Sequence, residues 1–385
     1  MVKKLKLLML IILLLLLIAA LSGCFISPSE DHAEMADYTP LKATPLLPVR
    51  PLSAETRNCF TFISEQLSSP AGGIYTNYQN SSETGELSAG HEVLSESMGL
   101  LLEYARLTGD QQLFHETTDY IQDHLIVDDI LLWRIVEQQQ PITDVSATID
   151  DLRIYQTLSL SEEQWQLNDS GHEILAMLES QLPAKGFSAN YLVNYYSANS
   201  PTQDKTVEVA YLNLVAIQTL ATAKPELAAA AATSQRVLLG SFISETLPLY
   251  HKSYDPDKGT YSDADGRINI LDSLMVIQNL AQAGIYSPQS IDWLAEKTAS
   301  GTLYSYYDPR TGAALDSQES SAAYGMVAQI GAALGNEFLT GNALTQLKKH
   351  QNADSQSPFY GGFGYNNYAY SYDNLQALLG LVYNK

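Results

Sequence analysis

The chain of 385 residues is long enough for one large domain or two of ordinary size. Hydrophobic residues make up 45% of it, which is enough to bury a sizeable core. Only 17% of the residues are charged, yet the formal net charge is -22. This acidity argues against nucleic acid as a partner, because its binding depends on neutralising phosphates with Lys and Arg. It also disfavours strongly anionic substrates, whereas neutral or cationic substrates fit.

Residues 1–23 have the pattern of an export signal. Lysines precede an apolar run from Leu7 to Ala20, and Leu21-Ser22-Gly23-Cys24 follows. A basic region, an apolar region and small residues before a cleavage site make a secretory signal peptide. The last four residues resemble a bacterial lipobox, which implies cleavage before Cys24 and a diacylglycerol on its sulfur. An uncleaved membrane anchor is the alternative, and either one predicts a domain held at the extracellular face of the cell membrane.

Residues 24–52 are predicted to form a flexible tether, since prolines are scattered among Ser, Thr and Asp. The globular domain is then predicted to span residues 53–385. Cys59 is the single cysteine of that span, so that no disulfide framework is expected. The sequence shows no Cys/His cluster of the zinc type, and it implies no metal and no cofactor.

Beyond the tether, two kinds of helical segment alternate along the chain. One kind is amphipathic and charged on one face, as expected of an outer helix. The other kind starts with small or polar residues and then becomes apolar nearly all round, as expected of a buried helix. The amphipathic segments are 53–67, 111–126, 162–182, 225–247, 287–298 and 337–350. The apolar segments are 95–105, 148–160, 207–220, 271–283, 321–334 and 371–382.

The spacing of the apolar segments predicts the fold. Their polar starts recur at intervals of about 50 residues, which indicates repeated helical hairpins. We therefore predict an all-α (α/α)6 barrel, in which roughly parallel inner helices lie inside a ring of outer ones. An open α-solenoid is the alternative, but solenoids usually show a consensus in every repeat and none is visible here.

The barrel end at which the inner helices begin is the predicted site. A carboxyl group at the mouth of an apolar helix tends to have a raised pKa, so that it can donate a proton near neutral pH. Loops with glycine and tyrosine precede these helices, and flat aromatic rings suit sugar binding. The alternative is that each acid only complements the helix dipole. The residues predicted at this end are Glu96, Asp151, Glu208, Asp272, Tyr324 and Asp373.

Ser95-Glu96-Ser97-Met98-Gly99-Leu100 is similar, in shortened form, to the Ser-Glu-Gly-x-x-Tyr-Gly-Met segment of glycoside hydrolase family 8. The glutamate of that segment is the general acid of the family, so the resemblance assigns this role to Glu96. Members of the family are (α/α)6 barrels, in agreement with the helix pattern.

A second segment, Ser146-Ala147-Thr148-Ile149-Asp150-Asp151-Leu152-Arg153-Ile154, follows Trp133. It resembles a tryptophan followed by Ala-Thr-Asp-Ala-Asp-Leu-Asp-Ile in the family. The first family aspartate, which contacts the sugar at the cleavage point, falls on Ile149, and the second falls on Asp151. The resemblance implies that Asp150 or Asp151 holds the sugar near the cut. Trp133 is expected to be either a platform in the cleft or a core residue.

A third segment, Leu271-Asp272-Ser273-Leu274-Met275-Val276-Ile277-Gln278-Asn279-Leu280-Ala281, is similar to Tyr-Asp-Ala-x-Arg-x-Pro-x-x-Leu-Ala of the family. The aspartate there is the catalytic base in one branch, so the resemblance assigns the base to Asp272, although the tyrosine and arginine are absent. Tyr324-Gly325-Met326 also looks family-like, and we predict that Tyr324 contacts the substrate.

Together these segments predict an inverting endo-glycoside hydrolase for a β-1,4-linked polysaccharide, with the cell's own exopolysaccharide as one candidate. Inversion needs an acid and a base about 6.5–9.5 Å apart, which helix starts facing each other across a ring could supply. Two alternatives stay open. Loss of the family aspartate at Ile149 favours a non-catalytic glycan-binding lipoprotein on the same barrel. A polysaccharide lyase is the third possibility, and the acidity of the chain disfavours it.

Overall fold

The computed structural model describes residues 51–80, 90–139, 141–197, 205–263 and 265–384. The predicted signal peptide, Cys24 and most of the tether lie outside these residues. The described residues belong to one compact unit that extends from Leu41 to Lys385. Among their helices, none combines the length and the apolar character needed to cross a bilayer.

Twelve α-helices in the described residues follow the predicted alternation of inner and outer segments. Short π-helical turns, Ile63–Leu67 and Ile121–Leu125, extend the first and third helices. In chain order the helices are α1 Ala54–Phe62, α2 Ser95–Thr108, α3 Gln111–Tyr120, α4 Thr148–Gln164, α5 Asp169–Lys185, α6 Leu214–Ala223, α7 Ala228–Gly240, α8 Ile270–Gln282, α9 Pro288–Ser300, α10 Ser321–Ala333, α11 Glu337–His350 and α12 Ser371–Leu381.

The even-numbered helices form a closed ring. Each packs against the next even-numbered helix, from α2 to α12, and α12 packs against α2. Closure distinguishes a barrel from an open solenoid, so the predicted all-α (α/α)6 barrel is confirmed. Outside the ring, α3, α5, α7 and α11 pack on the inner helices that precede them, and α1 packs on α12. There the Thr56 hydroxyl donates a hydrogen bond of 2.9 Å to the Leu381 carbonyl.

Helices α10 and α12 approach each other closely through two glycines. A Cβ atom added at Gly325 would lie 2.2 Å from the carbonyl oxygen of Gln376. One added at Gly380 would lie 2.8 Å from the Cα atom of Gly325. The glycine of the Tyr324-Gly325-Met326 segment therefore serves the packing of two inner helices.

Short antiparallel strands surround the starts of the inner helices. They are β1 Val93–Leu94, β2 Ile126–Val127, β3 Ile130–Leu131, β4 Arg134–Ile135, β5 Val145–Ala147, β6 Phe187–Ser188, β7 Tyr191–Leu192, β8 Tyr195–Ser197, β9 Val207–Glu208, β10 Ser253–Asp255, β11 Thr260–Ser262, β12 Ile268–Asn269 and β13 Tyr306–Tyr307. The pairs are β1 with β4, β2 with β3, β5 with β8, β6 with β7, β9 with β10, β10 with β11, and β12 with β13. Strands β1, β5 and β12 lead directly into α2, α4 and α8, so the ladders hold the ends of these helices in place.

The predicted helix 207–220 begins later than expected. Residues Val207–Glu208 form β9 and Val209–Tyr211 form a 3-10 turn, and α6 starts only at Leu214. The reason is a helix cap, because the side chain of Asn213 accepts a hydrogen bond of 3.1 Å from the N–H of Ala216. Glu208 consequently lies in a strand rather than in the first turn of an inner helix.

Candidate active site

Glu96 lies in the first turn of α2, directly after the short strand β1. Its neighbour Ser95 is held by a backbone hydrogen bond of 3.1 Å to the carbonyl of Trp133. Burial, reinforced by the charge of Asp150, raises the pKa of Glu96 to about 7, while Arg153 acts in the opposite direction. Glu96 therefore keeps a proton near neutral pH, as a general acid must.

Asp150 and Arg153 form a buried ion pair beside Glu96. The Asp150 Oδ1 atom accepts a hydrogen bond of 2.6 Å from Arg153 Nη1, and its Oδ2 atom accepts one of 2.7 Å from the Ser95 hydroxyl. A Cβ atom added at Gly99 would lie 3.2 Å from Arg153 Cδ, so the glycine makes room for this side chain. The first two family-like segments thus meet, and Asp150 joins α4 to the start of α2.

Asp151 points into a different network. It has no exposed surface. The Ser146 hydroxyl donates to both carboxyl oxygens, at 2.7 and 2.8 Å, and the Tyr196 hydroxyl donates to one of them at 2.6 Å. Burial raises the pKa of Asp151 to about 7. Asp151 ties β5 and β8 to α4, and a direct sugar contact would require this network to open.

Asp272 lies in the first turn of α8, close to a lysine. Its side chain is 25% exposed, and Lys252 Nζ lies 3.9 Å from its Oδ2 atom. Burial raises the pKa of Asp272, and the charge of Lys252 opposes this increase. The charge of Lys252 therefore favours the ionised form of Asp272.

Two tyrosines connect these carboxyl groups. Burial raises the pKa of Tyr211, and the charges of Asp150, Glu208, Glu96 and Asp272 raise it further. Burial likewise raises the pKa of Tyr372, with contributions from Glu96, Asp272 and Asp373 and an opposing one from Arg153. The charges of Glu96 and Asp272 therefore raise the pKa of the same two tyrosines, and each acid lies in the first turn of an inner helix of the same ring.

Trp133 and Tyr324 differ in their exposure to solvent. Trp133 is half-buried, and the Arg134 guanidinium lies 4.4 Å from the centre of its ring. Tyr324 has no exposed surface, and its hydroxyl donates a hydrogen bond of 2.9 Å to Glu319. Its ring stacks on His350 at 5.6 Å. Tyr324 thus packs between α10 and α11, and the predicted substrate contact has no free surface to act through.

Sequence reasoning missed three residues of this site: Arg153, Tyr211 and Tyr372. Arg153 follows Asp150 by three residues, and acid and base at that spacing on a helix tend to meet. Tyr372 is the neighbour of Asp373, which the sequence pattern placed at an inner helix start. Tyr211 had no such signal, because it lies in the 3-10 turn that was expected to be regular helix.

The chain resembles several solved structures. No family model and no curated protein matches it. Among solved structures, a novel alpha-amylase from Clostridium perfringens is 31% identical, with a TM-score of 0.80, over 88% of this chain and 100% of that one. The chain belongs to its family, which is glycoside hydrolase family 8-like.

More distant structures share the fold of this family 8-like protein. PssZ from Listeria monocytogenes is 19% identical with a TM-score of 0.67, over 90% of this chain and 98% of that one. The family 8 endoglucanase Cel10 from Klebsiella pneumoniae is 14% identical with a TM-score of 0.60, over 85% and 98%. At these identities the likeness supports the (α/α)6 barrel alone.

Below the carboxyl groups of this family 8-like barrel runs an axial cavity of about 110 Å³. Ile149 and Arg153 line it near the helix starts, and amide side chains line it further down. Gln278 donates to Gln329 at 2.9 Å, and Gln329 donates to Gln376 at 3.0 Å. Within the part of the chain that the structure describes, no cluster of three or more His, Cys, Asp or Glu side chains could hold a metal ion.

Proposed function

We propose that the protein is an endo-acting glycoside hydrolase in which Glu96 is the general acid and Asp272 the general base. The observation that supports this is the unequal environment of two carboxyl groups at one end of the barrel. Burial raises the pKa of Glu96 to about 7, whereas Asp272 is 25% exposed and has Lys252 at 3.9 Å. Acid–base glycoside hydrolysis requires one protonated and one ionised carboxyl, and different environments of two carboxyls can provide them.

In the proposed reaction, Glu96 gives its proton to the glycosidic oxygen as the bond to the anomeric carbon breaks. Asp272 takes a proton from a water molecule, and the oxygen of that water forms the new bond to the anomeric carbon. The attack comes from the face opposite the leaving group, so the product has the inverted configuration. Asp150, fixed by Ser95 and Arg153, stands next to the acid and is the better placed of the two predicted sugar-holding aspartates.

The sequence predicts a β-1,4-linked polysaccharide, and the cell's own exopolysaccharide remains a candidate. The endoglucanases and xylanases among the similar structures share only the fold with this chain. The relative that is 31% identical is described as an alpha-amylase. This observation favours an α-linked glucan as a second candidate, so both linkages belong in the first assay.

The test is the release of reducing ends from β-1,4-glucan, xylan, chitosan and starch. We expect turnover of one of these polymers, and we expect Glu96→Gln and Asp272→Asn to lower it by about a hundredfold or more. Glu296→Gln is the matched control, since this glutamate is 71% exposed on the outer helix α9. Equal rates for the wild type and Glu96→Gln would refute the proposed acid. Initial release of the substrate's own anomer, followed by NMR, would refute inversion.

The alternative of a glycan-binding lipoprotein rests on Ile149, which stands where the family 8 segment has its sugar-contacting aspartate. It predicts that the wild type and Glu96→Gln bind the same polysaccharide equally well and that neither hydrolyses it. Turnover by the wild type that disappears in Glu96→Gln would eliminate this alternative.

We further propose that a lipid on Cys24 holds the domain at the extracellular face of the cell membrane. The support is the Leu21-Ser22-Gly23-Cys24 sequence after an apolar run. Cys24→Ser should abolish incorporation of labelled fatty acid and release the protein from the membrane fraction. Cys59→Ser, which changes a buried thiol of α1, is the control and should remain anchored. Membrane retention of unlabelled Cys24→Ser would instead indicate an uncleaved anchor.

A further inference from the structure

Three exposed tyrosines lie together just before the last inner helix. Tyr365 is 78% exposed, and Tyr368 and Tyr370 are each 47% exposed. A group of large aromatic side chains left open to water is typical of a binding surface. None of the three takes part in the proposed acid–base chemistry, so their exposure calls for another explanation.

The tyrosines lie on a hydrogen-bonded backbone hairpin. The N–H groups of Tyr365 and Tyr368 donate to each other's carbonyl oxygens at 2.8 and 2.9 Å. Between them Asn366 and Asn367 have φ angles of 49° and 71°, as in the two-residue turns that suit tight hairpins. At the base of the hairpin, the Ala369 N–H donates a hydrogen bond of 3.1 Å to Asn77 Oδ1. The aromatic rings therefore need little ordering when a ligand binds.

The rings form one wall of an open cleft. The cleft has a volume of about 540 Å³. The rings of Tyr368 and Tyr370 are nearly parallel, with an angle of 13° between them and 6.3 Å between their centres. Flat faces set at such an angle suit the flat, apolar faces of sugar rings more than they suit a peptide chain.

Polar and acidic side chains also line the cleft. Glu319, His350 and Asp373 line it. His350 Nε2 lies 2.9 Å from the Glu319 carboxylate, and Asp373 Oδ1 accepts a hydrogen bond of 2.8 Å from the Ser320 hydroxyl. The carboxylate oxygens can accept hydrogen bonds from hydroxyl groups, whereas an anionic ligand would meet two carboxylates and one imidazole that already contacts Glu319. The lining therefore favours a neutral polyhydroxyl ligand.

This cleft is continuous with the candidate active site. Tyr370 immediately precedes α12, and Tyr372 and Asp373 lie in the first turn of that helix. The hydroxyl oxygens of Ser371, the first residue of α12, and Ser97, which follows Glu96 in α2, lie 2.9 Å apart, so the start of α12 borders the helix start that carries Glu96. We propose that Tyr365, Tyr368 and Tyr370 form an extended binding site that holds a neutral polysaccharide chain beyond the point of cleavage. This inference rests on the proposed hydrolase function and adds to it a preference for long substrates.

The test is calorimetric binding to the Glu96→Gln protein, so that no turnover interferes. The probes are maltoheptaose and cellohexaose as long chains, and maltotriose and cellotriose as short ones. We expect the combined Tyr365→Ala and Tyr368→Ala change to weaken the binding of the long probe by about tenfold or more, and to leave the short probe unaffected. Tyr286→Ala is the matched control, because Tyr286 is 55% exposed and follows the far end of α8. Tyr368→Phe should retain binding, since the ring is kept.

Failure of the inference and failure of the proposed function give different results. Long-chain binding that depends on the tyrosines, in a protein without any turnover, would support the extended site and reject the hydrolase. Turnover by the wild type, together with identical long-chain affinities of the Glu96→Gln protein with and without the two tyrosine changes, would reject the extended site and keep the hydrolase. Equal affinity for long and short probes, or no measurable binding of either, would also overturn the extended site.

Discussion

The Asp150–Arg153 ion pair is expected to set the upper pH limit of the reaction. In the wild type, the rate should fall as pH rises through about 7, because Glu96 then loses the proton that it must donate. It should also fall at low pH, as Asp272 gains a proton and ceases to be a base. The perturbation is removal of one charge at a time, by Asp150→Asn and by Arg153→Gln.

The size of the effect follows from the environment of Glu96. Its pKa rises from the ordinary 4.5 to about 7, which corresponds to roughly 3 kcal/mol of preference for the protonated form. Burial is the main cause, and the charge of Asp150 is the second. Asp150→Asn removes that charge and leaves the Arg153 cation without its partner. We therefore expect the alkaline limb to move down by about one pH unit or more.

Arg153→Gln should move the same limb upward, because it removes the one cation that lowers the pKa of Glu96. The double variant should return it towards the wild-type position. The assay is kcat/KM against pH, with thermal unfolding of each variant as a check on folding, since breaking a buried pair is costly. Two single variants that shift the limb in the same direction would refute this electrostatic reasoning. A lower rate at every pH with an unmoved limb would instead make Asp150 a sugar contact only.

Three further outcomes are expected. Lys252→Met should raise the pKa of Asp272, because it removes the positive charge 3.9 Å from that carboxylate. The acid limb of the rate profile should then move to higher pH while the alkaline limb stays in place. An unmoved acid limb would argue against Asp272 as the base. Gly325→Ala should lower the free energy of unfolding in urea by about 1–3 kcal/mol or more, because its Cβ atom would lie 2.2 Å from the Gln376 carbonyl oxygen. Gly341→Ala is the control and should be neutral or slightly stabilising, since its Cβ atom would have no neighbour within 4 Å. Equal stability of the two variants would contradict the close packing of α10 and α12. The pKa of Asp151 is about 7 in the folded protein against an ordinary 3.8, so the folded protein binds this proton more tightly than the unfolded chain does. The resulting contribution to the free energy of unfolding is complete below about pH 4 and is lost by about pH 7. Asp151→Asn should remove this loss of about 4 kcal/mol, measured as a flatter dependence of unfolding free energy on pH, and an unchanged slope would show that Asp151 is ionised in the folded protein.

The barrel could be predicted because its helices carry their position in their composition. An inner helix such as α12 is apolar nearly all round, and an outer helix such as α3 is apolar on one side only, so that the alternation is visible in the sequence. The strands could not be predicted in the same way. A strand of two residues, such as β1 or β12, is too short to show any alternation, and it is defined by its partner in a distant loop.

The positions of Glu96 and Asp272 followed from helix starts, but the contacts of other residues did not. Burial of Tyr324 depends on the His350 ring from α11, which no local pattern reveals. Asp150 and Asp151 are neighbours in sequence, yet their side chains belong to separate networks because successive residues of a helix point about 100° apart. Only the folded chain shows which of the two stands beside Glu96.

The proposed division of roles between the two carboxyls depends on how the nearby cations are paired. Both Glu96 and Asp272 lie in the first turn of an inner helix, where the helix dipole favours an anion. The dipole therefore does not distinguish them. Arg153 lowers the pKa of Glu96, but its Nη1 atom lies 2.6 Å from the Asp150 Oδ1 atom. The negative charge of Asp150 therefore offsets much of the effect of Arg153 on Glu96. The Lys252 side chain is 44% exposed, and its Nζ atom lies 3.9 Å from the Asp272 carboxylate. The charge of Asp150 thus adds to burial in raising the pKa of Glu96, while the charge of Lys252 favours the ionised form of Asp272.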